Sequence, residues 1–351
     1  MLDILLLAGA FVVILLGAEL FTNGIEWFGH KLELAEGAVG SVLAAVGTAL
    51  PETMIPLIAI LFTGGEDASH VGIGAILGAP FMLSTLAMFV TGIAVLVAAR
   101  HRIAGDVMPV QTGVLAHDMR FFVIAYALAV GVAFVPAGTV WPRWVAAVLL
   151  LGIYVLYVRG HLQADSAASR AEDLNPLRLQ ALDRKAPADL GSPRLRIVTF
   201  QVVAALALIV VGAFAFVGAV EDLARLIGAD EALLALIIAP IATELPEKFN
   251  SVIWVRQGKD TLAMGNITGA MVFQSTIPTV VALVFASSLW AVTDSSLLAF
   301  GSALIAFASS AAIFVPMART GRLLGRWLLV GGAFYVVYLV LVIIRLTSGQ
   351  A

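Results

Sequence analysis

The 351-residue sequence contains no cysteine and little charge, with Asp, Glu, Lys and Arg together at 12%. Without cysteine there can be no disulfide, no thiolate metal site and no iron–sulfur chemistry. An ordinary soluble domain carries roughly 25% charged residues, and a chain with half that excludes a water-soluble enzyme. A net charge of −3 offers nothing to a polyanion, so a nucleic-acid partner is excluded as well. The five histidines (His30, His70, His101, His117 and His161) show no zinc-type spacing. His-Glu-x-x-His and Gly-x-Ser-x-Gly are also missing, so neither an enzyme nor a cofactor is expected.

What the sequence has instead is apolar length: 61% hydrophobic residues and a mean hydropathy of +1.03. Runs near 20 residues, each able to cross a hydrocarbon core about 30 Å thick, recur along the chain. Ten spans are expected, near 3–28, 35–63, 71–99, 119–136, 143–159, 197–219, 231–256, 262–289, 296–317 and 325–346. Met1-Leu2-Asp3 lacks the basic start of a signal peptide, so the first run reads as a retained helix. The one long polar stretch, around His161 to Arg194, holds Pro176, Pro187 and Pro193 and reads as a linker. It divides the chain into 1–160, 161–195 and 196–351.

Sorted by side, 16 of the 20 Lys and Arg residues fall with that linker. Arg143, Arg225 and Arg345 lie opposite, and Lys248 falls within a span. Basic residues stay cytoplasmic. The expectation is an integral protein of the cell membrane with a cytoplasmic linker and both termini outside. Its partners are the lipid bilayer and small inorganic cations, and no protein partner is implied.

Two spans share a motif. Span two carries Gly47-Thr48-Ala49-Leu50-Pro51-Glu52, and span seven carries Ala242-Thr243-Glu244-Leu245-Pro246-Glu247. The next spans match too, Gly78-Ala79-Pro80 through Ser84-Thr85 against Gly269-Ala270-Met271 through Ser275-Thr276. The second copy sits five spans after the first, an odd offset, which gives the two opposite orientation. Inverted-repeat transporters bind substrate near the midplane, where the repeats meet. Pro51 and Pro246 break their helices and release the carbonyls of Gly47 and Ala242. A freed carbonyl in hydrocarbon needs a partner; a bound cation would serve, with the Thr48 and Thr243 hydroxyls beside the break. Glu52 and Glu247 supply charge, and a mid-span carboxylate costs at least ~2.5–3.5 kcal/mol unless a cation or proton joins it. Oxygen ligands of this kind suit Na⁺, Ca²⁺ or Mg²⁺.

At these residues the chain resembles the calcium/cation antiporter superfamily, the sodium/calcium exchangers and their relatives. The resemblance implies an all-α membrane fold of ten helices in two inverted five-helix repeats. It also implies alternating-access exchange of Ca²⁺, or a related cation, for Na⁺ or H⁺. By the same resemblance Glu52 and Glu247 are the paired ion-binding glutamates, with Thr48 and Thr243 lining the flanking sites. The chain departs from the family where polar ligands become Ala79-Pro80 and Ala270-Met271. Ser84 and Ser275, four residues beyond Pro80 and Met271, together with Gln274, are candidate replacements one helical turn along. Asn266 is a second-tier candidate, and Glu244 pairs with Lys248 at the favourable helical spacing or joins the site itself. Because Lys248 adds positive charge near the site, a monovalent cation/proton antiporter remains an alternative, as does a non-transporting cation sensor that keeps the fold.

Other residues receive ordinary roles. Glu19 lines an access path or packs between helices, and His117-Asp118 caps the fourth span at its cytoplasmic end. Glu66, Asp67 and His70 form a solvated acidic loop. Trp27, Trp141 and Trp290 sit near span ends, as interfacial anchors do. The glycines from Gly37 to Gly47 suit close helix packing.

Overall fold

The computed structural model describes residues 2–49, 52–53, 56–57, 60–61, 66–163, 174–182, 193–226, 245–293 and 296–347. Its helices are α1 (Leu2–Lys31), α2 (Glu36–Thr48), α3 (Glu66–Met82, continuing through Leu83–Ala87 and Met88–Ala98), α4 (Thr112–Gly131) and α5 (Trp141–Leu162). After the polar stretch come α6 (Leu195–Leu226), α7 (Leu245–Arg256), α8 (Asp260–Phe285), α9 (Leu297–Thr320) and α10 (Val330–Thr347). Among the described residues, eight helices are long and apolar enough to cross a membrane; α2 is apolar but shorter. The fold is all-helical apart from one two-residue ladder. There β1 (Val107–Met108) pairs antiparallel with β2 (Leu323–Leu324), Val107 opposite Leu324.

These helices are apolar on both faces, as a lipid-embedded bundle requires. In α5, Leu150 and Tyr157 face the protein while Val148 and Val155 are exposed. Lipid is as apolar as leucine, so close backbone approach and polar contacts, rather than water exclusion, hold such helices together. Small residues supply that approach. Gly17 and Gly24 of α1 lie against Ile209 and Val202 of α6, and Gly212 of α6 lies against Ile14.

At the centre stands α8, buried over 83% of its most apolar stretch against 22–56% for the other seven spanning helices. It packs on α2, α3, α4, α5 and α7. Its closest neighbour is α2, where a Cβ added to Gly269 would lie 2.0 Å from the Ser41 carbonyl oxygen. The middle of α2, Val39–Ala44, is π-helical, as is the Leu83–Ala87 turn of α3. Such wide turns often mark functional sites.

Polar ties close both ends of the bundle. At one end Arg102 donates to both carboxylate oxygens of the buried Asp260 and to the Val255 carbonyl at 2.7 Å. Beside it, Glu26 of α1 accepts from Trp254 at 2.8 Å and from Lys259. The α7–α8 connection there turns on Gly258 at φ +75°, a left-handed position that favours glycine. At the other end the buried Arg143 donates to the carbonyls of Trp290, Pro136, Thr139 and Val135.

One expectation needs correcting. Trp290 is fully buried, its indole donating to the Ala129 carbonyl at 2.8 Å, and Trp27 is buried against the Asn175 carbonyl at the same distance. Of the three tryptophans only Trp141 is exposed as an interfacial anchor would be. An indole N–H near a helix end finds a carbonyl in protein as readily as in the headgroup layer. Part of the polar linker packs on the bundle. Residues 174–182 lie on α1 and α6: Asn23 donates to the Asn175 and Pro176 carbonyls, Gln201 accepts from the Leu179 amide, and Leu177 packs with Trp27 and Val198.

Candidate functional site

The site is built where α2 and the residues just beyond it meet α8. Thr48 is the last residue of α2, and Glu52 and Thr53 are helical four and five residues on. Both Thr48 and Glu52 are buried. The Thr48 hydroxyl reaches the Ala44 carbonyl and the Asn266 side-chain oxygen, each at 3.1 Å. Two turns along α8, the Gln274 amide donates to Glu52 Oε2 at 3.3 Å, to the Thr53 hydroxyl at 3.3 Å and toward the Ala49 carbonyl at 3.5 Å.

Local sequence explains the placement of Gln274. Pro278, four residues on, has no N–H for the Gln274 carbonyl. The Thr279 hydroxyl approaches that carbonyl at 3.4 Å instead. Asn266 keeps spare capacity: fully buried, it has a hydrogen-bond partner for one end of its amide and none for the other. Amide ends are exchangeable by a flip, so either the oxygen or the nitrogen can face inward. Among the described residues no three His, Asp or Glu side chains gather. Within the described residues the groups placed here are the Glu52 carboxylate, the Thr48 and Thr53 hydroxyls and the Asn266 and Gln274 amides.

The other candidates fall in different places. Gly47 turns its Cα side to Phe21 and Leu206, so there it lets α2 approach α1 and α6. Ser84 donates to Phe81 in its own helix at 3.0 Å, and its carbonyl accepts from Ser309 at 2.6 Å. Ser275 likewise donates to Val272 at 3.0 Å. Neither serine hydroxyl bonds Glu52, Thr48, Asn266 or Gln274. Serine hydroxyls in helices commonly satisfy themselves on the preceding turn. Pro51, Ala242, Thr243 and Glu244 lie outside the described residues, as do the side chains of Pro246, Glu247, Glu66, Asp67 and His70. Lys248 is buried on α7. Glu19 is half exposed and pairs with Arg178 of the linker at 2.9 Å.

A second buried cluster was not foreseen. The helix α4 starts at Thr112 rather than near 119, so Asp118 is not a terminal cap but a fully buried group one turn and a half inside. Its carboxylate accepts from Ser41 of α2 at 2.8 Å, His161 of α5 at 2.7 Å, Tyr157 of α5 at 3.1 Å and Thr268 of α8. Tyr157 also reaches the Ser41 carbonyl at 2.9 Å. Flanking charges at Arg120 and the polar pair His117-Asp118 resemble a span boundary; only the partners from three other helices reveal the burial.

Fold and composition together define a helical membrane protein with carboxylates buried among its helices. The family model for the sodium/calcium exchanger protein matches residues 2–161 and 197–347, and the chain belongs to that family. It is accordingly a membrane cation antiporter and not an enzyme, its cations are cargo, and no cofactor is required. Among solved structures, the sodium-calcium exchanger NCX_Mj soaked with 2.5 mM Na⁺ and 10 mM Sr²⁺ is similar over 97% of this chain and 98% of that one. The TM-score is 0.67 at 16% identity. The same exchanger soaked with 2.5 mM Na⁺ and 0.1 mM Ca²⁺ matches over the same shares with a TM-score of 0.68 at 15% identity. At such identities the likeness speaks for the fold. No curated protein matches the sequence.

Proposed function

We propose that this antiporter exchanges Ca²⁺, or a related divalent cation, for Na⁺ or H⁺ by alternating access. The observation that carries the proposal is Glu52, a carboxylate 7% exposed beside a spanning helix and bonded by the Gln274 amide of α8, with the Thr48–Asn266 contact farther along the same two segments. A carboxylate buried inside a membrane protein is costly, and a cation entering the site offsets that cost. In the proposed arrangement Glu247 of the second motif copy completes the site with Thr243 and the Ala242 carbonyl. Ten helices form two inverted five-helix repeats, 1–160 and 196–351, joined by a cytoplasmic linker, with both termini outside the cell membrane. One cation must leave before its competitor binds, because both require the same carboxylates.

The test is cation counterflow in proteoliposomes, with Ca²⁺, Mg²⁺, Mn²⁺, Na⁺ and K⁺ in competition at two pH values. Ca²⁺ counterflow driven by Na⁺ or H⁺, lost in both Glu52→Gln and Glu247→Gln, is the expected result. Flux unchanged in both variants would overturn the assignment of the site. Exchange among monovalent ions and protons alone would favour the second reading, which the buried Lys248 and the apolar Pro80 and Met271 support. Cation binding without any exchange would mark a sensor.

A further inference from the structure

We propose that Asp118 and His161 form a proton-binding site separate from the Glu52 carboxylate, and that its occupancy sets how the head of α2 seats on α8. Asp118 is fully buried and His161 is 3% exposed, although they lie on helices that cross the membrane. An ionisable group held inside a membrane calls for a partner and a purpose. Here the carboxylate is already surrounded: Ser41 and Thr268 reach Oδ2, while Tyr157 and His161 reach Oδ1. Nothing the size of a metal ion can join without displacing one of them. A proton can, and imidazole is the side chain suited to taking one up near neutral pH.

With the proton bound, the pair is imidazolium and carboxylate, or imidazole and carboxylic acid, and its net charge is zero. When that one proton leaves for water the pair keeps a net charge of −1 in a buried place, which is costly without a compensating cation. Other ionisable groups on the packed elements do not supply the compensation. Glu36 at the head of α2 accepts from Gln111, Asp260 at the head of α8 is held by Arg102, and Arg120 of α4 and Arg159 of α5 are exposed. Tyr154 lies tilted against Tyr157, their ring centroids 6.0 Å apart. Besides Tyr157, His117 adjoins the pair, its ring 4.9 Å from that of His161 and its Nε2 buried without a hydrogen-bond partner. That imidazole is placed to pass the proton on.

The consequence reaches the cation site through two backbones. Ser41 and Thr268, both bonded to Asp118, stand where α2 and α8 touch at Gly269. Seven residues beyond Ser41 is Thr48, and six beyond Thr268 is Gln274. A changed charge at Asp118 therefore acts on the two helices that carry the Thr48–Asn266 and Glu52–Gln274 contacts.

The experiment is a histidine titration of the full-length protein in nanodiscs, labelled with ¹³C at histidine Cε1 and followed by NMR. The His161 signal is assigned by its loss in His161→Gln. Its resonance is expected to titrate with pH, with a midpoint moving by about one pH unit or more to lower pH in Asp118→Asn, which removes the neighbouring carboxylate. Tyr157→Phe, a milder change, is expected to move the midpoint to higher pH, because the carboxylate loses a donor and holds the proton more tightly. A His161 signal that does not titrate, or that titrates alike in wild type and Asp118→Asn, overturns the site. If Asp118→Asn does not fold, the Tyr157→Phe shift decides alone, and an unmoved midpoint overturns the site. The titration needs no transport, so it stands or falls separately from the exchanger assignment. In proteoliposomes the pH–rate curve of cation counterflow is then expected to lose the step at that midpoint in His161→Gln. Persistence of the step refutes the link to α2 and α8.

Discussion

Two groups of polar side chains lie along the same pair of helices and are treated oppositely. Around Glu52, the Thr48 hydroxyl and the Asn266 and Gln274 amides make long contacts, several at 3.1–3.5 Å, and one end of Asn266 has no partner. Around Asp118, four donors from three helices meet one carboxylate, and neither of its oxygens is left without one. A site that must admit and release a guest keeps bonding capacity in reserve. A junction that must hold its helices spends that capacity on the protein. The difference supports the two proposals, a cation at Glu52 and a proton at Asp118.

Substitutions can break or sharpen that contrast. The largest effect is expected for Asp118→Ala, which removes the common acceptor of four buried donors. A buried donor left unsatisfied costs about 1–3 kcal/mol, and several together are read as a large fall in the thermal unfolding temperature in detergent. An unchanged unfolding temperature would mean the junction is not holding the bundle. Next comes Gly269→Ala, whose new Cβ would collide with the Ser41 carbonyl. Backbone cannot yield as a side-chain tip does, and overpacking costs about 1–3 kcal/mol, measurable in the same melt.

At the open site the expected readout changes. Asn266→Leu should weaken apparent cation affinity about tenfold, roughly 1.4 kcal/mol, while the unfolding temperature stays within a degree or two, about what a few tenths of a kcal/mol would produce. A variant that melts early yet binds cations normally would show that Asn266 belongs to the packing. The smallest effect is expected for Arg178→Ala. Its pair with Glu19 is half exposed on both sides, and exposed pairs contribute about 0–1 kcal/mol, so neither melt nor counterflow should move appreciably.

Much of the fold was legible in the sequence because crossing lipid demands length and apolarity, which composition displays directly. The helices α1, α5, α6, α8 and α9 begin within two residues of the expected span starts. The start of α4 was misplaced because His117, Asp118 and Arg120 read as a polar boundary, although Asp118 is satisfied by other helices. The site was partly legible. Thr48 and Glu52 stand out by motif, and Gln274 and Asn266 by being polar inside an apolar run. Ser84 and Ser275 share those signals, yet their hydroxyls bond their own helices. A hydroxyl's choice between the preceding turn and a neighbouring helix is not written in its spacing.

By itself the sequence determined that this chain lives in a membrane and where many of its spanning segments run, and it displays the repeated motif with its two carboxylates. Those properties are local, because the bilayer tests each segment's solubility one by one. Only the tertiary structure decided that α8 is the buried centre, that α2 lies on it at Gly269, and that Asp118 meets His161 across two helices. Partnerships of that kind depend on residues far apart in the chain arriving at one point, and their energies exist only once the helices have packed.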